Sequence, residues 1–378
     1  KINFLAKCLN TFSRYFYIMR IIFTLIIVCI ASLAISQATL SSFYSTDVTI
    51  TDKVDSIYNS MSDADRIGQI IMPAVGKHGK PTDYVIGLIE KRQLGGILLL
   101  NGDREGFKNM VSRFDSLGKA AGCLPFLYSA DAEPSLIKYK IKNCSPVPNA
   151  NKLTSSMEVK NTAASISKDL NYIGINYNFA PVVDQGTTNS AITNRSFGFN
   201  TDSISVWSNA FINVSQSMGV ITTAKHFPGH GLVVGDTHEK LVFIDGIMKE
   251  VENYKPIIAG GVVSIMVAHI AVKNNPKYGT NGMPATCSKK IVTDLLKTEL
   301  NFKGLIVTDA MNMGGVRSIP QCGLKAVEAG CDILLMPVNE PQDIADILKK
   351  YQADATFKLR VEDAVKKIIR SKVCLGLI

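Results

Sequence analysis

Gly304-Leu305-Ile306-Val307-Thr308-Asp309 is an apolar, β-prone run that stops at a carboxylate. A short apolar run with polar residues beyond it suits a strand buried on both faces. Comparable runs occupy 69–72, 96–100, 125–129, 174–178, 220–223, 263–267 and 332–336, which makes eight. Segments with helix-like character fall between them at 84–93, 107–121, 159–170, 206–218, 288–300 and 342–351. Alternating strands and helices predict an α/β chain with a parallel sheet covered on both faces. Eight strands favour a TIM-like (β/α)8 barrel, as a single domain, over an open doubly wound sheet. At 356–373, Phe357, Val361, Val365, Ile368 and Ile369 recur near helical spacing and predict an additional C-terminal helix packed on the outside.

Polar residues cluster just after the expected strands. Asp131 and Glu133 follow the third, Asp184 and Arg195 the fourth, and Lys225, His226, Asp236 and His238 the fifth. His269 follows the sixth and Asp309 the seventh. In a barrel these positions converge at the C-terminal face, where active sites are built. Asp309 has two readings. It could cap the helix after its strand, or it could attack an electrophilic carbon or stabilise a cation.

Three of the five histidines lie in Lys225-His226-Phe227-Pro228-Gly229-His230-Gly231 and the Asp236-Thr237-His238 that follows. The Lys-His pair is expected where a buried strand ends and a loop begins. A metal site would use the four-residue spacing of His226 and His230, but that spacing aligns two imidazoles only on a helix, and Pro228, Gly229 and Gly231 oppose one. Proton transfer fits better, because Asp236-x-His238 sets a carboxylate beside an imidazole in a glycine-rich loop.

The 378 residues are 46% hydrophobic and 19% charged without long charge runs, which excludes disorder as the main state. Residues 1–38 are expected to be an upstream segment plus a signal peptide. The start is placed at Met19, an apolar stretch follows Arg20, and a cut falls after Ala38. The apolar stretch is shorter than the roughly 20 residues that span a bilayer, so no stable membrane span is expected after cleavage. The expected location is exported, periplasmic or extracellular. Residues 39–54 read as a polar linker and 55–378 as the barrel domain. Loss of Lys1, Lys7, Arg14 and Arg20 lowers the formal charge from +9 to +5. With no basic stripe interleaved with aromatics, nucleic acid is not an expected partner. Of eight cysteines, six lie beyond residue 38. They read mainly as buried thiols, with Cys123 and Cys144 the first pair to test for a disulfide.

These motifs resemble the barrel domain of family 3 glycoside hydrolases, most closely the single-domain bacterial β-N-acetylglucosaminidases. The likeness runs from about Ser62 to Met336. It is sharpest at Lys225 to Gly231 with Asp236-Thr237-His238, Asn178-Phe179-Ala180-Pro181-Val182-Val183-Asp184, Asn194-Arg195-Ser196-Phe197-Gly198 and Thr308-Asp309. The resemblance implies an exo-acting, retaining hydrolase of terminal β-linked GlcNAc, from peptidoglycan or chitin-type fragments. Asp309 matches the nucleophile, His238 the acid/base and Asp236 the carboxylate that orients it. Lys225, His226, Arg195 and Asp131 match residues that hold sugar hydroxyls, and His269 stands in a segment similar to one near the family's site. No metal or organic cofactor is required.

The chain departs from the family where Asp131-Ala132-Glu133 continues as Pro134-Ser135-Leu136 instead of Gly-Gly, which reshapes one wall of the sugar pocket. A proline common after Asp-x-His is also missing. Three alternatives stand beside the acetylglucosaminidase. One is a β-glucosidase or β-xylosidase of the same family, which usually takes its acid/base from outside the barrel. Another is a GlcNAc phosphorylase, because a neutral imidazole repels phosphate less than a carboxylate does. The third is a non-catalytic sugar-binding cell-wall protein, suggested by the altered Asp131 loop.

Overall fold

The computed structural model describes residues 38–186 and 189–378; the expected upstream segment, signal peptide and most of the first 38 residues lie outside them. In chain order the strands are β1 (Ile71–Met72), β2 (Ala74–Val75), β3 (Gly96–Leu99), β4 (Gly102–Asp103), β5 (Leu127–Ala130), β6 (Ile141–Lys142) and β7 (Tyr177–Asn178). They continue with β8 (Ile221–Phe227), β9 (Val242–Asp245), β10 (Ser264–Val267), β11 (Ile270–Lys273), β12 (Leu305–Thr308) and β13 (Leu334–Leu335). Every position of β3, β5, β8, β10 and β12 is buried, as expected of apolar runs covered on both faces.

Seven strands form one parallel sheet in the order β12-β10-β8-β7-β5-β3-β2, and β1 pairs in parallel with β13. The sheet curls so that this pair meets both of its ends. The Ile71 carbonyl accepts the Gly95 N–H at 3.0 Å, and Ile333 bridges to Val307. Two short parallel ribbons, β4 with β6 and β9 with β11, extend from the loops.

The expected strands and helices appear with shifted ends. Side-chain caps account for the earlier helix starts. Asp103 accepts the Gly106 N–H and opens Arg104–Ala121, Ser155 opens Ser156–Ile173, and Asn200 opens Thr201–Ser217. The segment expected at 288–300 runs as a π-helix, Lys290–Glu299. A helix spans Ala355–Cys374 at the end of the chain. Among the described residues no helix is long and apolar enough to cross a membrane.

Two expectations need correction. Residues 39–54 are not a linker: a 3-10 turn spans Leu40–Ser42, and a helix covers Val48–Ser60. Its polar composition conceals a narrow apolar stripe, in which Ile50, Val54 and Tyr58 are buried at four-residue spacing. This segment packs on Ala355–Cys374, where Arg370 donates to the Phe43 carbonyl at 2.5 Å and Lys366 pairs with Asp55 at 2.8 Å. The Cys123–Cys144 pair is not a disulfide; all six described cysteines are free thiols.

One buried carboxylate ties the sheet to the helices behind it. Asp332 accepts the Ile306 N–H at 2.9 Å and the Arg360 guanidinium at 2.5 Å, with Lys297 and Lys367 at 3.6 and 3.7 Å. Burial alone would raise its carboxyl, but Lys297, Lys367 and Arg360 hold it well below the usual carboxylate range. Asp332→Asn leaves these cations around a neutral amide, and breaking such a buried pairing costs about 3–5 kcal/mol. Urea unfolding should therefore show a lower midpoint at unchanged slope. An unshifted midpoint would mean that solvent compensates the cations.

Candidate active site

The site is built from loops that leave the strands at one end of the sheet. Its most unusual local feature lies in β8. Ile265 of β10 faces Ala224, while Val267 faces Phe227, so β8 carries one extra residue across this interval. Adjacent residues of a regular strand point to opposite faces, and such a bulge redirects them. Lys225 and His226 accordingly line the same cavity. They are the fifth and sixth of the seven residues of β8, beside the strand end where the pair was expected. The Lys225–His226 peptide bond is cis.

That cavity, about 510 Å³, is also lined by Asp131, Arg195, His238 and Asp309. Six residues expected at the site thus converge from five loops or strands. Lys225 is 2% exposed, and its ammonium lies 2.9 Å from Asp131 and 2.6 Å from Glu133. Arg195 grips Glu133 with two parallel hydrogen bonds, Nε to Oε2 at 2.8 Å and Nη2 to Oε1 at 2.7 Å. Burial raises the Glu133 carboxyl, but Arg195 and Lys225 outweigh it and hold it well below the usual range. Burial likewise lowers Lys225, and Asp131 and Glu133 bring it above its ordinary value. Both cations stay charged although Lys225 and Glu133 are almost fully buried.

His226 is oriented by Asp184, whose Oδ2 lies 2.6 Å from Nδ1 and also accepts the His226 backbone N–H at 3.1 Å. The carboxylate acceptor puts the proton on Nδ1, leaving Nε2 for Arg195 Nη2 at 3.4 Å. Asp184 Oδ1 accepts the His230 N–H at 2.8 Å, so one buried carboxylate fixes two histidine positions. The rings of His226 and His230 are 5.7 Å apart, but their nitrogens face separate protein partners. Among the described residues no group of three or more His, Cys, Asp or Glu is arranged to hold a metal ion.

Asp309 follows β12 directly. Its Oδ1 accepts the Ala310 N–H at 2.8 Å. The next helix, Cys322–Ala329, begins too far along for Asp309 to cap it, so the capping role does not apply. Burial raises the Asp309 carboxyl, but His269, His226, the Ala310 N–H and Lys225 together hold it below its ordinary value. An ionised carboxylate therefore faces the cavity at neutral pH.

His238 is 68% exposed, and its Nδ1 lies 2.7 Å from Asp236 Oδ1, which also accepts the His238 N–H at 2.9 Å. Partial burial raises the Asp236 carboxyl; the His238 N–H bonds and imidazole outweigh it and lower it. Nδ1 donates to this carboxylate, which leaves Nε2 to exchange a proton. Asp236 does not line the cavity and is bonded to His238, which does.

His269, expected to contact substrate, does not line the cavity. It is fully buried. Nε2 lies 3.0 Å from the Ala310 carbonyl and Nδ1 2.8 Å from Thr286 Oγ1. Burial lowers its pKa. Through these two bonds it holds the backbone beside Asp309, and a residue's position after a strand cannot say which way the ring turns.

Glu133, Asp184, His230 and Glu250 had no assigned role in the sequence. The signal for Glu133 was available: two cations expected in one pocket wall need a buried counter-charge. Glu250 has no such signal. Its carboxylate accepts the N–H groups of Gln185 at 2.8 Å and of Gly231 and Leu232 at 3.1 Å, anchoring the start of the histidine loop. A second cavity of about 730 Å³ lies against that loop, lined by Leu232, Val233, Phe243 and Ile247, but none of the expected site residues opens on it.

The family model described as "Glycosyl hydrolase family 3 N terminal domain" matches residues 63–371. A beta-hexosaminidase of Actinobacillus pleuropneumoniae is 34% identical over 213 residues, covering 53% of this chain and 60% of that protein. The chain thus spans less than two thirds of this curated relative. A beta-N-acetylglucosaminidase/beta-glucosidase of Cellulomonas fimi is 26% identical over 344 residues, 84% of this chain and 58% of that protein. Among solved structures, a beta-N-acetylhexosaminidase of Beutenbergia cavernae superposes with a TM-score of 0.75 at 25% identity, covering 83% of this chain and 99% of that one.

Burial and the nearby Asp184 push Glu250 up to about 7, against the three N–H groups it accepts. A carboxyl raised on folding binds its proton more tightly in the folded chain. Its contribution to stability is therefore full below the ordinary value of 4.5 and is lost as pH rises through 7. Between pH 4.5 and 7.5 wild type should lose roughly 2–3 kcal/mol more than Glu250→Gln. Chemical denaturation across that window measures this, and parallel profiles would place Glu250 in the ordinary carboxylate range.

Proposed function

The chain belongs to glycosyl hydrolase family 3, and from that premise we propose that it is an exo-acting, retaining β-N-acetylglucosaminidase. The observation that carries the proposal is the opening of Asp309 and His238 onto one cavity, with Asp236 bonded to His238 from behind. Names of relatives support the substrate class, since both curated relatives carry hexosaminidase or acetylglucosaminidase activity in their names. We read the curled parallel sheet as a single TIM-like (β/α)8 barrel, with Ala355–Cys374 as the additional helix. The proposed setting is outside the cytoplasm, acting on GlcNAc-terminated peptidoglycan or chitin-type fragments.

In the first step an Asp309 carboxylate oxygen attacks the anomeric carbon while His238 gives its Nε2 proton to the departing glycosidic oxygen. The products are a glycosyl ester of Asp309 and the free alcohol. In the second step His238, now neutral, takes a proton from water as that water attacks the anomeric carbon and releases the Asp309 carboxylate. The sugar leaves with its original anomeric configuration. Retaining glycosidases usually divide this work between two carboxyl groups; here a carboxylate-supported imidazole does the proton transfer. Asp131, Lys225, Arg195 and His226 supply donors and acceptors for sugar hydroxyls. Because Glu133 neutralises much of the cationic charge, these groups suit a neutral sugar.

The dual name of the Cellulomonas fimi relative makes glucoside the competing substrate, and the imidazole makes phosphate a competing acceptor. Aryl β-GlcNAc and aryl β-glucoside, each with and without phosphate, distinguish these cases. GlcNAc should be preferred without dependence on phosphate. Asp309→Asn should lower turnover by about 10³-fold or more, and His238→Ala by roughly 10²–10⁴-fold. Phosphate-dependent release of GlcNAc-1-phosphate would identify a phosphorylase, and folded protein inert on both glycosides would leave a sugar-binding role.

A further inference from the structure

We propose that His230 and Thr237 are positioning residues for the Asp236–His238 dyad, acting together as a strut between the buried start of the histidine loop and its working end. The proposal rests on the reading of His238 as acid/base. The loop leaves β8 at Phe227 and rejoins the ribbon at Val242, with Val234 fully in solvent between them. Its start is fixed by Asp184 and Glu250. Its far end holds two side chains with substantial exposure, Asp236 and His238, on either side of Thr237, which is 1% exposed.

The inward side chain is where the loop is held. His230 Nε2 lies 3.0 Å from Thr237 Oγ1. Asn189 sets the direction of that bond: its amide nitrogen, with two hydrogens to share, lies 3.1 Å from His230 Nδ1 and 3.1–3.3 Å from the carbonyls of His230, Val233 and Gly235, and toward Nδ1 it can only donate. With Nδ1 accepting, Nε2 carries the proton and donates to the threonine. Burial and the neighbouring His226 hold His230 below its ordinary value, so the neutral form this network requires prevails at pH 7.

Backbone contacts complete the fixation. The Thr237 carbonyl accepts the Gly315 N–H at 3.1 Å, and the His238 carbonyl accepts the Gly314 N–H at 2.9 Å. This approach needs a glycine at 314, where an added Cβ would sit 2.1 Å from the Glu239 carbonyl oxygen. Gly314 and Gly315 belong to the segment that follows Asp309. The strut therefore sets the acid/base loop against the loop of the nucleophile. His230 itself lies outside the catalytic cavity with both nitrogens engaged, which removes it from proton transfer to substrate.

Leaving-group dependence tests this, because a 2,4-dinitrophenolate departs without acid help and an unsubstituted phenol does not. In Thr237→Val the hydroxyl is replaced at equal size. Its kcat/KM should fall roughly tenfold for phenyl β-GlcNAc and by less than about twofold for the dinitrophenyl glycoside. Azide, which attacks without needing a base, should restore kcat on the dinitrophenyl substrate. Thr237→Ser, which keeps the hydroxyl, should recover most of the phenyl activity. The ratio between substrates on one sample does not depend on how much of it is folded. His238→Ala is the reference. If it shows the leaving-group dependence and Thr237→Val does not, the strut is refuted alone. If His238→Ala lacks it, the acid/base reading falls and the strut with it.

Discussion

Lys225 and Arg195 come from different parts of the chain and share one buried carboxylate, Glu133. Two largely buried cations side by side would repel each other, and leaving them without a counter-charge is costly. Glu133 lets both stay ionised and within reach of the cavity. The loop after β5, the loop before Thr201–Ser217 and the end of β8 are thereby held to one another. Asp131 adds a second carboxylate to Lys225 from the cavity side, so the wall presents alternating charge instead of a cationic patch.

The same device recurs at three depths. Asp184 serves two backbone N–H groups and one imidazole of the histidine segment, Glu250 serves three N–H groups at the loop's start, and Asp332 collects cations behind the sheet. Irregular backbone at the end of a sheet has N–H groups that no neighbouring strand can satisfy. Buried carboxylates take over that task here, and the groups left facing the cavity are the ones available for chemistry.

Much of this was legible in the sequence, for reasons that differ between residues. The strands could be found because burial on both faces writes continuous apolar runs. Asp309 could be found because it ends one of them. Asp236 and His238 could be paired because they are two residues apart. Glu133 and Arg195 are 62 residues apart, and nothing local in either reveals that they form two parallel hydrogen bonds. Asn189 and Glu250 hold backbone groups of distant segments, which leaves no compositional trace. Residues 39–54 escaped because a helix docked by one narrow stripe looks polar overall. His269 was expected among the strand-end residues that build the site, but its ring turns to the Ala310 carbonyl and away from the cavity, since strand-end position fixes a Cα and not the direction of a ring.

The extra residue in β8 gives sheet and site different requirements at the same point. Pairing with β10 would be as well served by a regular strand one residue shorter. The cavity would not, because two consecutive letters of sequence must then face opposite layers, one toward substrate and one toward apolar packing. A single-residue deletion between Ala224 and Phe227 would thus give β8 a regular register with β10 and leave a pocket without one of its paired cation and imidazole.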